Sequence, residues 1–85
     1  MTDSILIVDD DVRLCALLVE FLGANGYQAS SVNDGLALTQ ALHNRSFSLL
    51  VLDVNLPGES GMAICRRMRD MGDITPIIML TARSE

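Results

Sequence analysis

One set of polar side chains has types and spacing that can do chemistry. Asp9-Asp10-Asp11 follows directly on the apolar run Ile5-Leu6-Ile7-Val8. Asp53 stands 44 positions after Asp9, at the end of Leu49-Leu50-Val51-Leu52, with Asn55 two residues on. Thr81-Ala82 ends a third run, Ile77-Ile78-Met79-Leu80. If these runs are neighbouring strands, spaced about 4.8 Å apart, Asp9 and Asp10 approach Asp53. At 4 Å and an effective dielectric near 20, one like-charge pair costs roughly 4 kcal/mol. Such a cluster takes up protons or a cation. Hard oxygen donors with no His or Cys beside them suit Mg²⁺, which keeps several waters and accepts phosphate oxygens in its open positions. Asp53 can then act as a carboxylate nucleophile that forms an acyl phosphate. The Thr81 hydroxyl and the Ala82 N–H can hydrogen-bond phosphoryl oxygens.

The elements that must hold these groups follow from the pattern. None of the three runs alternates polar with apolar, which suits strands covered on both faces in a parallel sheet. A weaker strand is predicted over Tyr27–Val32, with small polar residues suited to a sheet edge. Leu14, Leu17, Leu18, Phe21 and Leu22 repeat at helical spacing and predict an inward stripe on the first helix. Asp10 or Asp11 can cap its start, and Gly23 or Gly26 can end it. Asn33 or Asp34 opens a second helix with Leu38, Ala41 and Leu42 inward. Glu59 or Ser60 opens a third, from Gly61 to about Met71, with Ile64 and Met68 on one face and Arg66, Arg67 and Arg69 mostly outward. Pro76 precedes the last strand, where its missing N–H is tolerated. The order β-α-β-α-β-α-β predicts an α/β, doubly wound parallel sheet. In such sheets the working crevice lies beyond the C-terminal ends of the strands, where Asp9–Asp11, Asp53 and Thr81 fall.

Composition bounds the rest. The 85 residues are 49% hydrophobic, enough for a core and too little chain for more than one small domain. A net charge of −5 argues against direct binding to nucleic-acid backbone. The longest unbroken apolar run, Leu14–Val19, is far short of the ~18 residues of a membrane span. The first residues carry no basic stretch ahead of an apolar one, so no secretory signal is read and the expected location is cytoplasmic. Cys15 and Cys65 make neither a disulfide framework nor a ligand set and read as small buried side chains. His43 reads as an exposed residue near the end of the second helix, where positive charge is mildly favoured.

The motifs Ile5–Asp11, Val51-Leu52-Asp53-Val54-Asn55-Leu56-Pro57-Gly58, Gly61-Met62 and Pro76–Ala82 stand in order along the whole chain. With them the sequence resembles the receiver domain of two-component response regulators. Leu56 through Arg67 looks most like the subfamily with a winged-helix DNA-binding output domain. The resemblance implies a flavodoxin-like, CheY-like fold with sheet order 2-1-3-4-5, of which this chain carries 2-1-3-4. It implies that Asp53 is the phosphoacceptor for a sensor histidine kinase, and that the chain is not an enzyme in its own right. It makes Asp10 a direct Mg²⁺ ligand, Asp9 a neighbour acting through water, and the Asn55 backbone carbonyl the third protein ligand. Thr81 becomes the hydroxyl that moves toward the phosphoryl group, and Pro57-Gly58 shapes the adjoining loop.

A complete receiver continues with a fourth helix, a fifth strand ending in lysine, and a fifth helix. Residues 1–85 are therefore expected to be the N-terminal part of a receiver, without those elements or an output domain. All six basic residues are arginine. The missing lysine predicts weak or absent labelling by acetyl phosphate or beryllofluoride. Contact with DNA is expected only through an output domain outside the chain. The exposed sheet surface predicts a homodimer or oligomer. The competing reading is a fragment that binds metal or self-associates without competent phosphorylation. A haloacid-dehalogenase-type phosphatase fits poorly, because Asp9-Asp10-Asp11-Val12-Arg13 departs from its Asp-x-Asp-x-Thr/Val pattern and the candidate nucleophile lies on the third strand. No G-x-G-x-x-G or G-K-[ST] is present for nucleotide binding.

Overall fold

The computed structural model describes residues 3–80. Its elements are β1 (Ser4–Val8), α1 (Val12–Ala24), β2 (Gln28–Val32), α2 (Gly35–Asn44), β3 (Leu49–Asp53), α3 (Gly61–Asp70) and β4 (Ile77–Leu80). All neighbouring strands are parallel, in the order β2-β1-β3-β4. This is the expected fold. No described helix is long and apolar enough to cross a membrane.

The apolar strand runs are explained by burial on both faces. Leu6, Val8, Leu50 and Leu52 face one side, where they pack with Leu38 of α2 and Ile64 and Met68 of α3. Ile5 and Ile7 face the other side, under Cys15, Leu18, Val19 and Leu22 of α1. Each helix starts on a side chain that accepts an otherwise unpaired N–H. Asp11 accepts from Leu14, Asp34 from Ala37, and Ser60 from Ala63. Of the alternatives left open by the sequence, Asp11, Asp34 and Ser60 are thus the caps. Pro76 lends only its carbonyl, to the Leu50 N–H at 2.9 Å, so its lack of a donor breaks no ladder bond.

The stripe read on α1 is corrected. Leu18 and Leu22 pack on the core, but Leu17 and Phe21 are 64% and 63% exposed and Leu14 is exposed too. The true inward face is Cys15, Leu18, Val19 and Leu22, offset from the predicted one by part of a turn. Both sets have the 3–4 spacing of an amphipathic face, and α1 is apolar over most of its circumference. Periodicity alone could not choose between them. On the same side of the sheet, Ile78 of β4 is 51% exposed, because α1 lies over β1 and does not reach the β4 edge.

Candidate functional site

The register places the acidic residues side by side. Val8 pairs with Leu52, and Asp9 and Asp53 follow at adjacent strand exits. Asp53 in turn pairs with Leu80. Asp9 is 6% exposed and Asp53 8%, whereas Asp10 is open to solvent. One carboxylate oxygen from each of Asp9, Asp10 and Asp53 lies within 4.8 Å of the others. Asp11 points away from this bowl, since its Oδ1 is engaged by the Leu14 N–H at 3.1 Å.

Backbone geometry fixes the bowl. The Asp9 N–H donates to the Val32 carbonyl at 3.2 Å, and Asp9 Oδ1 accepts the Asp11 N–H at 2.9 Å. The Asp9 carbonyl accepts from Asn33 Nδ2 at 2.9 Å and from the Cys15 thiol at 3.4 Å. Across the sheet, Asp53 Oδ1 accepts the Asn55 N–H at 3.0 Å, and the Val54 N–H donates to the Leu80 carbonyl at 2.9 Å. The loop beyond Asp53 is anchored by buried Leu56 and turns at Gly58, whose φ of +83° suits glycine. Gly61 then brings the start of α3 against the β3 exit. Its N–H donates to the Val54 carbonyl at 2.9 Å, and a Cβ there would collide with the Asp53 carbonyl.

The site's electrostatics match its chemistry. Burial pushes the Asp9 carboxyl above the ordinary 3.8, opposed by the Asp11 N–H and reinforced by the charges of Asp53, Asp10 and Asp11. Among the described residues the ion pair formed is Arg67–Glu59 at 3.0 Å, so no cationic side chain neutralises the bowl. The donor set is all carboxylate, close-packed, half buried and open on the Asp10 side. It fits a hard divalent cation with open positions.

The structure therefore brings Asp9, Asp10 and Asp53 together and puts Asn55 on the exposed rim. Thr81 and Ala82 lie outside the described residues. Asn33 and Gly61 also contribute to the site; from the sequence Asn33 reads only as a candidate helix cap, and Gly61 only as a helix start and a family motif residue. A glycine eight residues beyond a strand-end aspartate could have flagged the close approach. Asn33 carried no comparable signal, because it stood next to a better helix cap.

Residues 5–85 match the family described as the response regulator receiver domain. The transcriptional regulatory protein GltR of Pseudomonas aeruginosa is 45% identical over 84 residues, covering 96% of this chain and 35% of that protein. The transcriptional regulatory protein TctD of Salmonella typhimurium is 39% identical over 80 residues, covering 94% and 36%. The chain thus spans about a third of the length of these curated relatives. Among solved structures, the receiver domain of Francisella response regulator 1452 superposes with a TM-score of 0.91 at 21% identity, covering 99% of this chain and 69% of that one. The response regulator TrrA of Thermotoga maritima, solved in complex with Mg²⁺–BeF, gives 0.87 at 32% identity and covers 99% and 72%. Fold, bowl and matched sequence agree: the chain belongs to the response regulator receiver domain family.

Proposed function

We propose that Asp53 accepts a phosphoryl group from the phosphorylated histidine of a sensor kinase, in a site completed by Mg²⁺. The observation that carries this reading is the meeting of three carboxylates within 4.8 Å at adjacent strand exits. Asp9, Asp10, Asp53 and the Asn55 backbone carbonyl would hold the ion. Bound Mg²⁺ would supply charge neutralisation for the carboxylates and for the phosphoryl oxygens. The chain's own part is to present an Asp53 oxygen to phosphorus. As the new O–P bond forms, the N–P bond breaks and its electron pair returns to the kinase imidazole. Thr81 and Ala82 follow Leu80, the register partner of Asp53, so their hydroxyl and N–H would meet the transferred group.

The names of the curated relatives support a longer protein that controls transcription through an output domain, with DNA contact outside this segment and a cytoplasmic location. TrrA's capture with Mg²⁺–BeF supports the metal and phosphoryl assignment. The test is transfer from a phosphorylated kinase or acetyl phosphate. A Mg²⁺-dependent label, weak in a chain without lysine, should vanish with a chelator and in Asp53→Asn. A label that survives Asp53→Asn overturns the assignment.

A second reading rests on the exposed Ile78 at the β4 edge: the chain self-associates through this sheet surface. Sedimentation should show a concentration-dependent mass that Ile78→Lys removes. A wild-type monomer at all concentrations would end this reading.

A further inference from the structure

We propose that Asn33 is a positioning residue for the acidic bowl, holding Asp10 in place for the cation from a different loop. The inference rests on the metal reading above. Among the described residues Asp10 has no side-chain hydrogen bond, and its side chain is exposed, so its placement must come from the two peptides that flank it. Both are pinned. The peptide after Asp10 is held by the Asp11 N–H, which donates to Asp9 Oδ1 at 2.9 Å. The peptide before it is held through the Asp9 carbonyl, which accepts from Asn33 Nδ2 at 2.9 Å and from Cys15 Sγ at 3.4 Å. Fixing both peptide planes fixes φ and ψ of Asp10, and with them the direction in which its carboxylate leaves the backbone.

Asn33 is the pin that comes from the β2–α2 connection. It also approaches Cys15 Sγ at 3.9 Å, so the amide bridges the acidic turn and the first turn of α1. Its side chain is exposed and belongs to neither core cluster. Removing the amide therefore withdraws orientation without opening a cavity. Groups that orient metal ligands through such outer contacts commonly change affinity about tenfold or more when lost.

The experiment measures Mn²⁺ affinity by calorimetry at pH 8 and the urea midpoint without metal, in wild type, Asn33→Leu, Asn33→His and Asp10→Asn. Leucine keeps the shape of the amide and removes the donor; histidine restores an N–H at similar reach. Asn33→Leu should weaken Mn²⁺ about tenfold with an unchanged urea midpoint, and Asn33→His should return close to wild type. Equal affinity in wild type and Asn33→Leu overturns the inference. So does a weakening that tracks a lowered urea midpoint and persists in Asn33→His, which would mark a purely structural role. Failure of the underlying metal reading looks different: wild type and Asp10→Asn would then bind Mn²⁺ equally poorly.

Discussion

Asp9 and Asp53 close the same small turn on neighbouring strands. Oδ1 of each accepts the N–H two residues on, from Asp11 at 2.9 Å and from Asn55 at 3.0 Å. One oxygen of each carboxylate is thereby committed to its own backbone. No described residue donates to the other, which is left for an outside partner. The arrangement turns two buried acids toward a common point and compensates each with a single N–H. That is too little for two adjacent negative charges with a third alongside. On the cation reading proposed above, the bowl is a place where the fold would give up stability that a bound ion restores.

Neutralising one member should therefore stabilise the apo protein. Asp9→Asn keeps an oxygen to accept the Asp11 N–H and removes the charge that burial and Asp53 disfavour. The variant should gain stability in urea unfolding without metal. Mg²⁺ affinity should fall in the same variant. A loss of apo stability would mean that the carboxylate is better solvated than its 6% exposure indicates.

The pH dependence has a definite sign. The Asp9 carboxyl is raised above 3.8 in the folded protein, so the folded state holds its proton more tightly than the unfolded state. Apo stability should rise as pH falls from neutral through the raised Asp9 value toward 3.8. Asp73 acts in the opposite direction. The Thr75 hydroxyl at 2.6 Å and N–H at 3.0 Å hold its carboxyl below 3.8. Its contribution is present above 3.8 and is lost as pH falls below that value. Thermal unfolding without metal should pass through a maximum in the acid range. Saturating Mg²⁺ should raise the neutral side most, since binding needs the ionised carboxylates. A flat profile from pH 7 to 4 would contradict the Asp9 shift.

The sheet and the bowl were legible for a common physical reason. Runs such as Leu49–Leu52 are apolar at every position because both faces are covered, and a carboxylate directly after one must lie at a strand exit. Strand order then brings Asp9 to Asp53. The inward face of α1 was not legible, because Leu14, Leu17 and Phe21 are as apolar as Leu18, Val19 and Leu22. Cys15 is the buried residue at the centre of that face, and nothing in its hydropathy or size set it apart from exposed Ala16 beside it. Asn33 escaped for another reason: its bond to the Asp9 carbonyl joins residues 24 apart and leaves no local pattern.

Alanine substitutions on α1 separate the two faces. Leu17→Ala and Phe21→Ala remove exposed side chains and should change stability by no more than about 0.5 kcal/mol. Leu18→Ala and Leu22→Ala remove groups packed against Ile5 and Ile7 and should each cost about 2 kcal/mol or more. Urea midpoints of the four variants decide the matter. Equal losses at all four positions would place Leu17 and Phe21 under cover in solution.

The approach of α3 to the β3 exit gives the sharpest steric prediction. Gly61 is buried, and a Cβ on it would collide with the Asp53 carbonyl oxygen and crowd the Asp53 carbonyl carbon and Val54 Cα at 3.0 Å. The obstacle is backbone, so no side chain can rotate away. Gly61→Ala must push the start of α3 off the strand or displace the Asp53–Val54 peptide. Overpacking of this kind costs about 1 to 3 kcal/mol. Displacement at Asp53 should also weaken Mg²⁺ binding, because Asn55 and Asp53 move with that peptide. Gly23→Ala is the control: the position lies in the last turn of α1 with open space around it, and alanine there should be neutral or slightly stabilising. Gly61→Ala with wild-type stability and metal affinity would show that α3 can retreat freely, and that its contact with the β3 exit does not position the bowl.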